Sequence, residues 1–212
     1  MDIRQTDPGG LRQRLSQVLA AQPLLRGLLR ALGAGGFCFV LAGAGLLDGP
    51  VPLALAPVCV LPFGPAAICA YLGAAAGYAV FWGLSAALEP VAAGFLLLAG
   101  SCLLADLVPD EQGWLASAAA GGIYALLGVI FVLRADGGLQ AALQLILRLV
   151  LLTLSVRMLS PAPANARLRP YAAAVCLLAG LVRVQLPFGV PLAVIPAAAI
   201  CVLAAAGPEA LA

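Results

Sequence analysis

Apolar residues run along this chain in long blocks, and charged residues fall almost wholly between them. The uncharged stretches are Ala31 to Leu47, Gly49 to Leu88, Pro90 to Ala105, Gln112 to Leu133 and Val184 to Pro208. A helix needs about 20 mostly apolar residues to cross the hydrocarbon core of a bilayer, and about 17 is the lower limit. The pattern therefore predicts an all-α, polytopic membrane protein with six or seven membrane segments. Three regions follow: a basic cytoplasmic segment 1–30, a helical membrane domain 31–207 and a short tail 208–212.

The first 30 residues have a different rhythm. Leu11, Leu15, Val18 and Leu19, then Leu24, Leu25 and Leu28, recur at helical spacing beside Arg12, Arg14, Arg26 and Arg30. This predicts an amphipathic helix lying along the membrane surface and interrupted at Pro23. Its basic face is either a site for anionic lipid or a partner protein, or an ordinary positive-inside flank. The Arg-rich start and the length of the first apolar run argue against a cleaved signal peptide and for an anchor.

The 40-residue uncharged stretch from Gly49 to Leu88 is broken by "LPFGP", where Pro62 and Pro65 interrupt helical hydrogen bonding and Gly64 permits a turn. The piece before the break, 49–61, is about 20 Å long as a helix, too short to span. A half-helix or re-entrant segment is expected there. The piece after it, 65–88, is long enough to cross and carries Gly73 and Gly77, a small-residue pair suited to close helix packing. Spans over 90–105 and 112–133 follow, then the segment 137–159, then Tyr171 to Phe188 with Arg183 inside it, and finally Val190 to Ala206.

Arg148 stands near the middle of its apolar segment. An arginine at mid-bilayer costs about 3 kcal/mol on insertion scales, so it is expected either to face protein or water, with Glu89 as its partner, or to snorkel from a tilted helix. Orientation adds a constraint. The N-terminal flank carries five arginines and Arg157 to Arg169 holds three, so the positive-inside rule puts both on the cytoplasmic side. An even number of crossings must then separate them. This requires either that the proline-split stretch crosses twice or that the Arg148 segment is interfacial.

Composition closes off some chemistry. The chain is 64% hydrophobic and 9% charged, and it has no histidine. Without His, and without paired carboxylates inside a span, it lacks the usual groups for zinc sites, general-base work or phosphoryl transfer. No enzymatic activity, metal or cofactor is expected. The six cysteines stand singly, without metal-type or redox-type spacing. "VPLALAP" at 51–57 and "VPLAVIP" at 190–196 agree at five of seven positions, and each follows an apolar helix and a break. In so biased a composition the match alone does not establish a repeat.

The succession "GLLDGPVPLALAPVCVLPFGPAAICAYLGAAAGYAVFWG", then "LEPVAAGFLLLAG", and later "VPLAVIPAAAICVLAAAG" resembles the membrane region of stage II sporulation protein E. The resemblance covers roughly residues 30 to 207 and rests on the placement of Gly, Ala and Pro. Gly45-Leu46-Leu47-Asp48 stands where that family tends to carry an arginine after the first helix, and the family's phosphatase domain is not in this chain. The resemblance implies a membrane-anchoring and self-associating module of the bacterial cytoplasmic membrane, with an N-terminus in the cytoplasm. Its expected partners are the lipid bilayer and division or sporulation machinery, not nucleic acid. It carries over no catalytic residue. The competing class is a small-solute transporter, or the substrate-binding membrane subunit of a vitamin importer, for which proline-marked broken segments are also suited.

Overall fold

The structure, a computed structural model, describes residues 23–46, 49–104, 114–134, 138–161 and 166–184, with 192, 193 and 196. It is all-α apart from one minimal hairpin. The elements are α1 (Pro23–Leu41), β1 (Gly45–Leu46), β2 (Gly49–Pro50), a single 3-10 turn (Pro52–Ala54), α2 (Leu55–Val60), α3 (Pro65–Leu104), α4 (Trp114–Arg134), α5 (Leu139–Leu159) and α6 (Arg169–Leu181). Four of these helices, α1, α3, α4 and α5, are long and apolar enough to cross a membrane.

α1 runs from Pro23 without a break through Arg30 to Leu41, so the boundary expected between residues 30 and 31 is not a break in the helix. The part of the predicted surface helix before Pro23 lies outside the described residues. α1 ends at Leu41, not Leu47. Beyond it the chain turns through the antiparallel pairs Gly45 with Pro50 and Leu46 with Gly49.

α3 is not a single rod. Gly83 has φ 79° and ψ 163°, a backbone conformation that L side chains rarely adopt. The Tyr71 hydroxyl donates to the Val91 carbonyl at 3.5 Å, and the Tyr71 and Phe95 ring centroids are 6.4 Å apart. In a straight helix 20 residues would separate Tyr71 from Val91 by about 30 Å. α3 therefore folds back at Gly83 into two antiparallel limbs, 65–82 and 84–104, each about 27–32 Å long at 1.5 Å per residue. The expected break at Glu89-Pro90 does not occur there. Pro90 is fully buried within the second limb, seven residues past the real turn.

α1 and the first limb of α3 run parallel. A side chain added at Gly35 would meet the Cys69 carbonyl, one at Gly73 would strike the Gly35 backbone, and one at Gly77 would lie 2.6 Å from the Phe39 carbonyl oxygen. Further along, the Trp82 indole N–H donates to the Ala42 carbonyl at 2.9 Å. Both residue numbers rise together along this contact. Two consecutive parallel helices require the chain between them to return through the thickness of the bundle. That return is 42–64, and its centre is the first VPLA segment.

The return segment is deeply buried. Val51, Leu53, Ala54, Leu55, Ala56 and Val58 are each at most 8% exposed. Its backbone changes from hairpin to 3-10 turn to the six-residue α2, so its polar groups need partners that a regular helix would supply internally. The Val51 amide donates to the Ala44 carbonyl at 3.0 Å, and the Tyr78 hydroxyl donates to the Val51 carbonyl at 3.0 Å. Leu61 N–H donates to the Pro57 carbonyl at 2.9 Å and closes α2. α2 then packs on α3 and α5, with Leu55 against Gly94.

α4 and α5 form an antiparallel pair. The Ser117 hydroxyl donates to the Thr153 carbonyl at 2.9 Å, Gly121 leaves room for Thr153, and Gly128 receives Leu145. α6 comes back against the far end of α1, where Gly180 meets the Val40 carbonyl and Gly43 the Gly180 carbonyl. α6 has only 13 residues and ends at Leu181, shorter than the predicted run to Phe188. The final predicted segment, 190–206, lies outside the described residues except for Leu192, Ala193 and Pro196. Leu192 N–H donates to the Val184 carbonyl at 2.7 Å, a closure after α6 that resembles the Val51 to Ala44 bond after α1.

Candidate functional site

The charged centre is built where the second limb of α3, α4, α5 and the return segment converge. Arg148 Nη1 lies 3.4 Å from Glu89 Oε2, and the two side chains are only 14% and 18% exposed. α5 supplies Arg148 from its middle. α3 supplies Glu89 six residues after the Gly83 turn, inside its second limb and not at a helix end as the sequence suggested. Tyr124, from α4 and 1% exposed, places its hydroxyl near both charges.

Gly49 completes the enclosure. A Cβ at this position would collide with the Arg148 guanidinium, so β2 passes directly over the arginine. Tyr78, fully buried, fixes the adjacent backbone through Val51. Of the two readings open for Arg148, the geometry selects the protein-facing one with Glu89 as partner. A carboxylate and guanidinium that neutralise each other lower the cost of keeping either charge out of water. The arrangement can hold four segments in one register. It can also hold a proton or an ion in exchange for the partner, the use to which carriers put such pairs.

The other predicted positions scatter. Arg183 lies two residues beyond the end of α6, and its Cζ is 3.8 Å from the centroid of the Trp82 ring. Arg26 and Arg30 are exposed on the first turns of α1; Arg12 and Arg14 lie outside the described residues. Gly73 and Gly77 are consumed by the contact with α1, so this pair packs within the chain and offers no free face for a second copy.

Tyr124, Tyr78, Gly49 and Trp82 were not singled out from the sequence. Tyrosines are few here, four in the chain, and a tyrosine inside an apolar run needs a partner for its hydroxyl. That was the available signal for Tyr78 and Tyr124. Gly49 had none, because only the tertiary approach of Arg148 makes a side chain there impossible. Comparison of the chain with protein-family models, with curated proteins and with solved structures gives no match.

Proposed function

We propose that this chain is a membrane-anchoring and assembly module without catalysis of its own, similar in role to the membrane region of a sporulation phosphatase. It sits in the bacterial cytoplasmic membrane with its N-terminus in the cytoplasm. The observation that carries the reading is the closure of the charged centre: Arg148 and Glu89 pair beside Tyr124, and β2 passes over the Arg148 guanidinium. Such a centre holds a scaffold together. The exposed leucines and valines of α1, α3, α4 and α5 present a broad apolar exterior for lipid and for neighbouring copies.

The same reading assigns six crossings before Arg157: α1, the return segment, both limbs of α3, α4 and α5. The proline-split option is thus preferred to an interfacial Arg148 segment. Six is even, so Arg26, Arg30, Arg157, Arg167 and Arg169 share the cytoplasmic side.

A carrier is the second reading, and one feature favours it: a discontinuous return segment lying beside an intramembrane ion pair, as at transporter midplanes. Reconstitution separates the two. Purified chain in liposomes should crosslink into oligomers at high dilution in lipid and should accumulate no amino acid or vitamin. Saturable uptake by a protein that stays monomeric would overturn the assembly role.

A further inference from the structure

A second concave site lies away from the charged centre. Gly43, Gly45, Leu46, Trp82, Ala179, Val182 and Arg183 line a cavity of about 400 Å³ between the hairpin and the end of α6. Gly45 is required there, since a Cβ would enter the Trp82 ring. The Trp82 indole N–H is already committed to Ala42, so the ring acts only as an aromatic wall. Arg183 sits over that ring, and among the described residues no carboxylate reaches it. A guanidinium whose face rests on an aromatic keeps its N–H edge for an acceptor.

We infer that this cavity binds the phosphate headgroup of an anionic phospholipid, with Arg183 as the anion-binding residue and Trp82 as its platform. Three observations fix the chemistry. Among the described residues the charged side chain lining the cavity is the Arg183 guanidinium, which suits an anion. The cavity lies at the end of the bundle where α1 finishes and α3 turns, beside Trp82, in keeping with the tryptophans and arginines that mark membrane interfaces. Val182, which lines the cavity, is 57% exposed, and Val80 and Leu84 flank the Gly83 turn at 68% and 78% exposed, apolar surface on which acyl chains can lie. A free phosphate ester shares the headgroup chemistry but would make no use of that surface. The inference rests on the membrane reading and is independent of whether the chain assembles or transports.

The test uses Trp82 as its own reporter. The chain has two tryptophans, so Trp114→Phe leaves Trp82 as the only indole. This protein is reconstituted in vesicles doped with brominated phosphatidylglycerol or brominated phosphatidylcholine of equal acyl composition. Quenching of Trp82 should favour phosphatidylglycerol by about fivefold in apparent affinity, and Arg183→Gln should abolish the preference. Arg183→Lys should retain part of it. Val182→Trp, read by native mass spectrometry as retained phosphatidylglycerol, fills the mouth without removing the charge and should also lose the lipid. It keeps the test decisive if Arg183→Gln folds poorly. Glycerol 1-phosphate titrated into phosphatidylcholine vesicles should leave Trp82 emission unchanged. Saturable quenching by glycerol phosphate alone would replace the lipid with a soluble ligand. Equal quenching by both lipids, or a preference that survives Arg183→Gln and Val182→Trp, would overturn the site. None of these outcomes depends on oligomerisation or solute uptake, so failure here leaves the assembly reading standing.

Discussion

At the scale of single residues, Arg148 and Glu89 are worth most together. Removing one member of a buried pair strands the other charge, at a typical cost of 3–5 kcal/mol. Partial exposure of this pair lowers the expectation to about 3 kcal/mol. Arg148→Leu and Glu89→Leu should each lower stability by about that much. The double variant should be less destabilised than either single one, since two apolar side chains leave no uncompensated charge. Denaturant unfolding in mixed micelles measures all three, and an additive double variant would mean that the pair contributes nothing as a pair. Arg148 was prominent in the sequence because an arginine interrupts an apolar run, and Glu89 was its nearest candidate. Their meeting depended on a turn at Gly83, seven residues before the proline that seemed to mark it. The glycines give a second residue-scale test. Gly77→Leu should sharply reduce folded yield because the Phe39 carbonyl and Ala42 occupy the space, whereas Gly122→Leu, with open space beside it, should be tolerated.

At the scale of elements, the two features that organise the bundle are the turn at Gly83 and the return segment. Gly83 takes a positive φ with open space around its missing side chain, so the objection to substitution there is conformational and not steric crowding. Gly83→Ala should cost about 1–3 kcal/mol, because φ 79° with ψ 163° lies in a region essentially reserved for glycine. Thermal unfolding followed by circular dichroism measures the loss; an unchanged melting temperature would contradict the turn geometry. The return segment depends on borrowed hydrogen bonds. Tyr78→Phe leaves the Val51 carbonyl buried without its donor and should lower stability by about 1–3 kcal/mol. The LPFGP break was legible because proline removes amides wherever it stands. That the preceding piece would be a mixed 3-10, extended and helical passage was not, because its conformation is held by groups from α3 and α5.

At the scale of the whole molecule, topology is the measurable quantity. Single cysteines introduced into a cysteine-free variant at positions 26, 157 and 167 should share one side, and those at positions 83 and 182 the opposite side. Labelling of position 157 from the side opposite to position 26 would exclude six crossings. This arrangement explains the distribution of arginines: those at the start of α1 and those around the α5–α6 connection gather at one end of the bundle. Arg134 and Arg183 stand at the other end.

The sequence by itself determined that the chain is a helical membrane protein, because 64% apolar residues in charge-bounded blocks leave no soluble alternative for so much apolar surface. It also determined where helices cannot continue, at LPFGP, and that the Arg148 segment must satisfy a charge. Tertiary structure decided the rest. Whether a 40-residue helix bends at Gly83 or at Pro90 depends on Tyr71 finding Val91 and Phe95. Whether Gly73 and Gly77 face a second copy or α1 depends on a parallel pairing that only the buried return segment makes possible. Each of these is a choice between local conformations of similar energy, and contacts between distant parts of the chain select among them.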